Sequence, residues 1–252
     1  MGKKRNRNVI NLTNTHTYGK LYLVPTPLSD GDIDIYLPPL NKHIINDIRF
    51  FVVEELRTAR RFLRKLSPTF PIDSCDFQLL NEHTPLINLD DLLLPLLQGN
   101  DMALLSEAGL PCVADPGSEL VIKAQQKNIN VIPLVGASSI FMALMASGLS
   151  GQNFAFYGYL PTDKQKLTSK IQSMEIHSYK HQQAQIFMEA PYRNNQLLNS
   201  ILQNCGGSTY LCIAANITST NEYIVTKTIT EWKKSNLPNL HKQPTIFVLQ
   251  KK

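Results

Sequence analysis

The sequence has few cysteines, and none of them form the patterns that bind metals or exchange disulfides. Its four cysteines are Cys75, Cys112, Cys205 and Cys212, with no close pair of the kind that zinc sites and redox motifs use. We therefore predict buried free thiols in a reducing compartment and no metal site.

Long apolar runs are also missing. The most apolar stretches, such as residues 87–97, are interrupted by charge or proline and fall short of the roughly 20 residues that a membrane-spanning helix needs. The basic amino terminus, MGKKRNRN, has no apolar run of a secretory signal. These absences predict a soluble cytoplasmic protein without a membrane partner.

A glycine-rich phosphate loop is absent as well. The first predicted strand ends in VPTPLSDGD (residues 24–32), in which Pro25 and Pro27 stiffen the turn and remove backbone donors. Because the turn carries no G-x-G-x-x-G motif, it argues against a pyrophosphate-containing cofactor.

From Lys20 onward, short aliphatic and β-branched runs alternate with segments of helical periodicity. This rhythm predicts an α/β protein with two consecutive domains, residues 20–148 and 152–252, after a basic extension of residues 1–19. The boundary follows a helix that Gly148 is suited to end. Two such domains in series create a cleft beside strand ends, where ligands usually bind.

The predicted helix over residues 55–66 has a basic face. Apolar residues occupy one side of it, and the other side carries Arg57, Arg60, Arg61 and Arg64. With a net charge of +5, this ridge is either a solvated helix face or a surface that follows phosphates.

Two further motifs follow predicted strands. SEAGLPCVADPG (residues 106–117) has the glycines and prolines of a ligand-positioning loop, although AGLP and DPG can also be simple turns. In PLVGASS (residues 133–139), Ser138 or Ser139 begins a helix. Their hydroxyls could cap that helix, or the helix start could hold a ligand carboxylate.

Six motifs in this order resemble the tetrapyrrole-methylase-like family of S-adenosylmethionine-dependent methyltransferases. Within that family they are most similar to the group that methylates small-subunit ribosomal RNA. The motifs are LVPTPL, EELR, SEAGLPCVADPG, PLVGASS, YGYLP and FMEAPYR, between residues 23 and 193.

The resemblance implies two α/β domains with the cofactor cleft between them, a homodimer, and S-adenosylmethionine as methyl donor. It also implies transfer to a ribose 2′-hydroxyl of small-subunit ribosomal RNA. By motif position, the cofactor would contact Leu28, Leu110, Val113, Ser138, Ser139, Met188 and Ala190.

A ribose hydroxyl is a weak acid, so we expect a base or a positioning cation near it. Our first candidates are Glu55 and Arg57, followed by Glu82, His83 and Glu189. Each of these residues could equally be an ordinary surface or loop charge.

The sequence departs from the group's pattern at several positions. Glu55 replaces aspartate, Leu110 replaces threonine and Tyr192 replaces histidine, while Ala215 and Ser219 replace an arginine and a lysine. The lost cations leave two alternatives open. The protein could methylate a tetrapyrrole or another small molecule, or it could be a non-catalytic relative that binds the cofactor.

Overall fold

The computed structural model describes residues 18–81 and 89–252. The strands are β1 (Leu21–Val24), β2 (Phe50–Val53), β3 (Asp76–Leu79), β4 (Met102–Leu105), β5 (Val131–Pro133), β6 (Phe154–Tyr159), β7 (Ala184–Met188), β8 (Tyr210–Ala215), β9 (Tyr223–Thr228) and β10 (Thr245–Gln250). The helices are α1 (Pro39–Asp47), α2 (Leu56–Leu66), α3 (Leu89–Leu92), α4 (Leu94–Leu97), α5 (Ser118–Gln126), α6 (Ser139–Ser147), α7 (Lys164–His181), α8 (Asn194–Asn204) and α9 (Ile229–Lys234). Within the described ranges, no helix combines the length and apolarity that a membrane span requires.

The first sheet is entirely parallel, with the order β3-β2-β4-β1-β5. Its central strands are continuous apolar runs because helices cover both faces of a parallel sheet. Phe51 and Leu63 belong to the core on one face, and Leu93 and Leu104 belong to the core on the other. The predicted α/β class is confirmed.

The second sheet is mixed, with the order β6-β7-β10-β8-β9. Only β6 and β7 run parallel, and β10 is antiparallel to both of its neighbours. The second sheet therefore does not repeat the all-parallel arrangement of the first. Residues 216–222 join β8 directly to β9 without a crossover helix, and such a short connection pairs strands antiparallel.

The predicted basic helix is confirmed as α2, which Glu55 caps at its amino terminus. Helix α7 is the longest of the described helices, and its buried face extends from Leu167 to Ser178. Helix α9 was not predicted from the sequence, although Thr228 and Glu231 form a capping box at its start.

Helix α6 connects the two sheets. Its residues Ile140 and Leu144 share a core with Ile186 and Val248 of the second sheet. Gly148 ends the helix in the left-handed conformation, at a φ of 69°. Because α6 lies before the proposed boundary and packs beyond it, the division into residues 20–148 and 152–252 stays a prediction.

Candidate functional site

The loops that follow β1 and β4 are joined to each other by their backbones. The Thr26 amide donates to the Gly109 carbonyl at 3.0 Å, and the Gly109 amide donates back to the Thr26 carbonyl at 3.1 Å. The buried Ser106 hydroxyl also donates to the Gly109 carbonyl, at 2.7 Å. Two of the sequence motifs therefore form one fixed surface at the carboxyl ends of neighbouring strands.

The loop after β5 packs against the loop after β1 at Gly136. A Cβ atom at this position would lie 2.2 Å from the Cβ atom of Pro25. No side chain fits such a gap, so glycine here allows the two backbones to approach closely.

Strained backbone conformations lie on both sides of this surface. Cys112 and Ala114 have φ values of 67° and 59° in the loop after β4, and Asn216 and Thr218 have φ values of 51° and 72° after β8. Non-glycine residues in this region are uncommon, and they often occur where a loop is held for function. The Asn216 amide group supports its turn by donating to Gln243 Oε1 at 2.9 Å.

A cavity of about 480 Å³, called the cleft below, lies between these loops and the ends of the second sheet. Six of the seven residues predicted to contact the cofactor line it: Leu28, Leu110, Val113, Ser138, Ser139 and Met188. The seventh, Ala190, does not line the cleft but lies between Glu189 and Pro191, which do. The structure therefore brings together residues that are more than 100 positions apart in the sequence.

Helix α6 begins at the cleft wall. The Ser138 hydroxyl caps this helix by accepting from the Phe141 amide at 3.5 Å, and Ser139 is its first residue. The expected cap is therefore present. The amino-terminal end of α6 still faces the cleft, and its free backbone amides carry a partial positive charge.

The cleft is acidic. Its lining includes the four carboxylates Glu54, Glu107, Asp115 and Glu189, and no lysine or arginine is found among the described residues that line it. Electrostatic attraction to these carboxylates favours binding of a positively charged ligand.

Glu189 is the most buried of these four carboxylates, at 6% exposure. Its Oε1 accepts from the Ala190 amide at 2.8 Å. Its Oε2 lies 3.4 Å from the Arg193 guanidinium in an ion pair but has no hydrogen bond. A buried polar atom is normally hydrogen-bonded, so this oxygen is available to a ligand donor in the cleft.

Burial also perturbs two other groups in the cleft. It raises the pKa of the Asp115 carboxyl, although the hydrogen bond from the Gly117 amide works in the opposite direction. Burial together with the charges of Glu189 and Glu54 raises the pKa of Tyr159.

The structure places the first catalytic candidates outside the cleft lining. The Glu55 carboxylate accepts from the Arg57 and Thr58 amides at 3.0 and 2.7 Å, and these hydrogen bonds lower the pKa of Glu55. Arg57 is exposed in the first turn of α2. Their catalytic roles stay predictions. Glu82 and His83 lie outside the described residues.

A second cavity, of about 550 Å³, adjoins the cleft and is called the side cavity below. Its lining includes Arg61, Lys65 and Ser219. Five residues line both cavities: Leu28, Glu107, Ala108, Asn216 and Pro244. The two spaces are therefore neighbours across a shared wall.

The basic residues of α2 make different contacts. Arg60 stacks over the Phe77 ring at 5.5 Å, and Arg64 donates to the Pro68 carbonyl at 3.0 Å. Lys65 donates to the Asp30 carbonyl at 2.8 Å, which fastens the loop after β1. Only Arg61, among the four arginines of this helix, lines the side cavity.

The family model for tetrapyrrole (corrin/porphyrin) methylases matches residues 20–233 of this chain. The chain belongs to this family. Several similar proteins carry the name ribosomal RNA small subunit methyltransferase I. The relative from Vibrio cholerae is 33% identical over 205 residues, which cover 81% of this chain and 67% of that protein. The relative from Pasteurella multocida is 30% identical over 237 residues, which cover 93% of this chain and 80% of that protein.

Two solved structures of methyltransferases have a similar fold. The methyltransferase CobJ superposes with a TM-score of 0.61 at 15% identity, covering 92% of this chain and 94% of that one. Uroporphyrin-III-C-methyltransferase from Thermus thermophilus superposes with a TM-score of 0.52 at 17% identity, covering 92% of each chain. The family relationship makes this protein a methyltransferase, and the low identities limit these two comparisons to the fold.

Proposed function

We propose that the protein uses S-adenosylmethionine to methylate a ribose 2′-hydroxyl of small-subunit ribosomal RNA. The observation that carries the proposal is the acidic cleft, which gathers six of the seven residues expected to contact the donor. The names of the ribosomal RNA methyltransferase relatives supply the substrate class.

The residues of the cleft fit this donor in size and charge. A volume of about 480 Å³ falls within the range of about 300–1,000 Å³ that is common for small-molecule sites. The donor carries a sulfonium and an ammonium group, and the four carboxylates of the lining favour a cation. The hydrogen-bond-free Oε2 of Glu189 can accept from a donor hydroxyl or ammonium group.

The lining residues divide the work of holding the donor. Leu28, Leu110, Val113 and Met188 offer apolar contact, and the start of α6 at Ser138 suits a carboxylate. When bound, the donor supplies an electrophilic methyl carbon. The protein's own contribution is to orient the two reactants and exclude water from them.

The test is a direct measurement of donor binding and RNA labelling. Isothermal titration should detect binding of S-adenosylmethionine and of S-adenosylhomocysteine to the purified protein. Labelled S-adenosylmethionine should then label the RNA of small ribosomal subunits from cells that lack this protein. Binding without labelling, across magnesium and salt conditions, would support the non-catalytic alternative. Absence of binding would refute the proposal as a whole.

The proposal includes a cytoplasmic homodimer. Support for the dimer comes from an exposed apolar patch formed by Phe141, Met145 and Phe154, in which the two phenylalanine rings meet edge to face at 5.8 Å. Met145 lies one helical turn after Phe141 and is 81% exposed. Because a large exposed apolar patch often marks an interface, Met145→Glu should convert a dimer to a monomer in light scattering. A wild-type monomer at micromolar concentration would remove the dimer from the proposal.

A further inference from the structure

We infer that the side cavity receives the acceptor nucleotide, with Arg61 binding its phosphate and Glu107 accepting the proton of its ribose hydroxyl. The inference rests on the proposed function and assigns the acceptor half of the reaction to particular residues. It concerns a cavity that the sequence motifs did not predict.

Glu107 stands between the two cavities. Among the five residues that line both spaces, it is the only one with a titratable side chain. It follows Ser106 directly after β4, on the loop that the paired backbones of Thr26 and Gly109 hold in place. In the described part of the chain, its carboxylate has no hydrogen-bond or ion-pair partner. A group entering from the side cavity would therefore meet an uncommitted acceptor on the wall of the cleft.

Asn216, the other polar residue of the shared wall, is already engaged. Its side-chain nitrogen donates to Gln243 Oε1 at 2.9 Å, and its backbone amide donates to the Pro244 carbonyl at 2.9 Å. Asn216 therefore supports the shared wall, and Glu107 is the residue of that wall that can accept a proton.

The remaining lining of the side cavity suits a nucleotide. Arg61 contributes an exposed guanidinium without a hydrogen-bond or ion-pair partner among the described residues, and its planar donors match phosphate oxygens. Phe62 and Pro27 provide apolar surface. Ser219 and Asn221 add polar groups, with the Ser219 hydroxyl donating to Asn221 Oδ1 at 2.6 Å. Lys65 is less available, because its ammonium group holds the Asp30 carbonyl.

The size of the side cavity restricts the kind of RNA. About 550 Å³ accommodates one nucleotide but not a base-paired duplex, so the acceptor must be unpaired or turned out of its helix. The acceptor is then a nucleotide of a single-stranded or distorted RNA segment.

In the proposed methyl transfer, Glu107 is the proton acceptor. A bond forms between the ribose oxygen and the methyl carbon, and the bond between that carbon and the donor sulfur breaks, leaving a neutral thioether. The hydroxyl proton passes to the Glu107 carboxylate and from there to water. General-base assistance of this kind contributes roughly a hundredfold to ten-thousandfold to a rate.

The first experiment measures binding without chemistry. A fluorescein-labelled single-stranded RNA of mixed sequence, and its 2′-deoxy counterpart, are titrated in fluorescence anisotropy with protein saturated with S-adenosylhomocysteine. Arg61→Ala should weaken RNA binding by roughly threefold to tenfold. Arg64→Ala removes the same charge from the same helix outside the cavity, and should change binding by less than twofold. Glu107→Ala should remove the preference for RNA over the 2′-deoxy strand, whereas the exposed control Glu119→Ala should keep it.

The second experiment measures methyl transfer to small ribosomal subunits. Glu107→Gln should lower the rate by about a hundredfold or more. Glu107→Asp should restore part of the rate because a carboxylate is again present. Glu119→Gln should leave the rate unchanged. Thermal unfolding of each variant checks that the fold is intact.

The outcomes separate the two levels of the proposal. If the wild type binds S-adenosylhomocysteine and labels RNA, but Arg61→Ala and Glu107→Gln behave like their controls, this inference is wrong and the proposed function stands. If the wild type shows neither binding nor labelling, the proposed function is wrong and this inference is refuted with it.

Discussion

The cleft and the side cavity share one wall but differ in charge. The cleft is lined by four carboxylates, whereas the lining of the side cavity contains two carboxylates, Asp30 and Glu107, together with Arg61 and Lys65. Acidic surroundings favour a cationic ligand, and an available guanidinium favours an anionic one. Under the proposed function, the acidic cleft would hold the sulfonium donor, and Arg61 in the side cavity would contact a phosphate of the acceptor.

The largest expected effect on ligand binding distinguishes the cleft from the side cavity. Glu189→Gln should weaken S-adenosylmethionine binding roughly tenfold to a hundredfold, because a hydrogen bond to a charged group is worth about 1.5–3 kcal/mol. Isothermal titration measures the change. RNA affinity should stay within twofold of the wild type, and the exposed Glu119→Gln variant is the control. Equal losses in both affinities would mean that the two cavities do not act separately.

A second substitution should damage both cavities together. Gly136→Ala places a Cβ atom 2.2 Å from Pro25, on the loop that lines the side cavity with Pro27 and the cleft with Leu28. Overpacking of this kind costs roughly 1–3 kcal/mol, which lowers Tm by several degrees in a chain of this length. Gly151→Ala is the matched control, because nothing lies within 4 Å of a Cβ atom there. A Tm equal to that of the control would show that the two loops can separate easily.

A third substitution should increase the affinity of the side cavity for an anionic ligand. Ser219 lines it at a position where the resembled group carries lysine, so Ser219→Lys should raise RNA affinity by roughly twofold to fivefold at low salt. The slope of binding against salt should steepen by about 0.7 for a single strand. The neighbouring exposed Thr220→Lys tests whether added charge alone is sufficient. If both variants gain equally, general surface charge and not the cavity determines RNA affinity.

The smallest expected effect concerns the acidity of the cleft. Burial raises the pKa of Asp115 in the folded protein, so the folded state binds this proton more tightly than the unfolded state does. Its contribution to stability is fully present below the ordinary aspartate pKa and is lost as pH rises through the higher folded value. Asp115→Asn should therefore raise Tm at pH 7 by about one or two degrees, and the difference should disappear near pH 3. A lower Tm for the variant at pH 7 would contradict this account.

The two missing cations show how far comparison of sequences alone can mislead. Both Ala215 and Ser219 replace a basic residue of the resembled group, yet they lie in different surroundings. Ala215 is fully buried in β8, whereas Ser219 faces the side cavity. Only the second replacement removes a charge from a space that could hold RNA. Nothing in the spacing of the two residues distinguishes them.

Local patterns predicted the loops of the cleft, and the family resemblance supplied the residues expected to contact the cofactor. Strands that end in proline and glycine turns predicted where the loops fall, and six of the seven residues carried over by motif line one cavity. The roles of Glu55 and Arg57 were harder to predict from the sequence. A carboxylate before a helix gives the same sequence pattern whether it caps the helix or faces a substrate. The hydrogen bonds from the Arg57 and Thr58 amides supply the capping role.

The sequence by itself determined the α/β class, the helix α2 and the order of the ligand loops, because these depend on periodicity and turn chemistry over a few neighbouring residues. Only the tertiary structure decided which arginine of α2 faces a cavity, that Glu107 lies between two spaces, and that the second sheet is mixed. Those features depend on contacts between residues far apart in the chain. Such contacts are fixed by the packing of α6 and the loops across both sheets, and no local pattern specifies them.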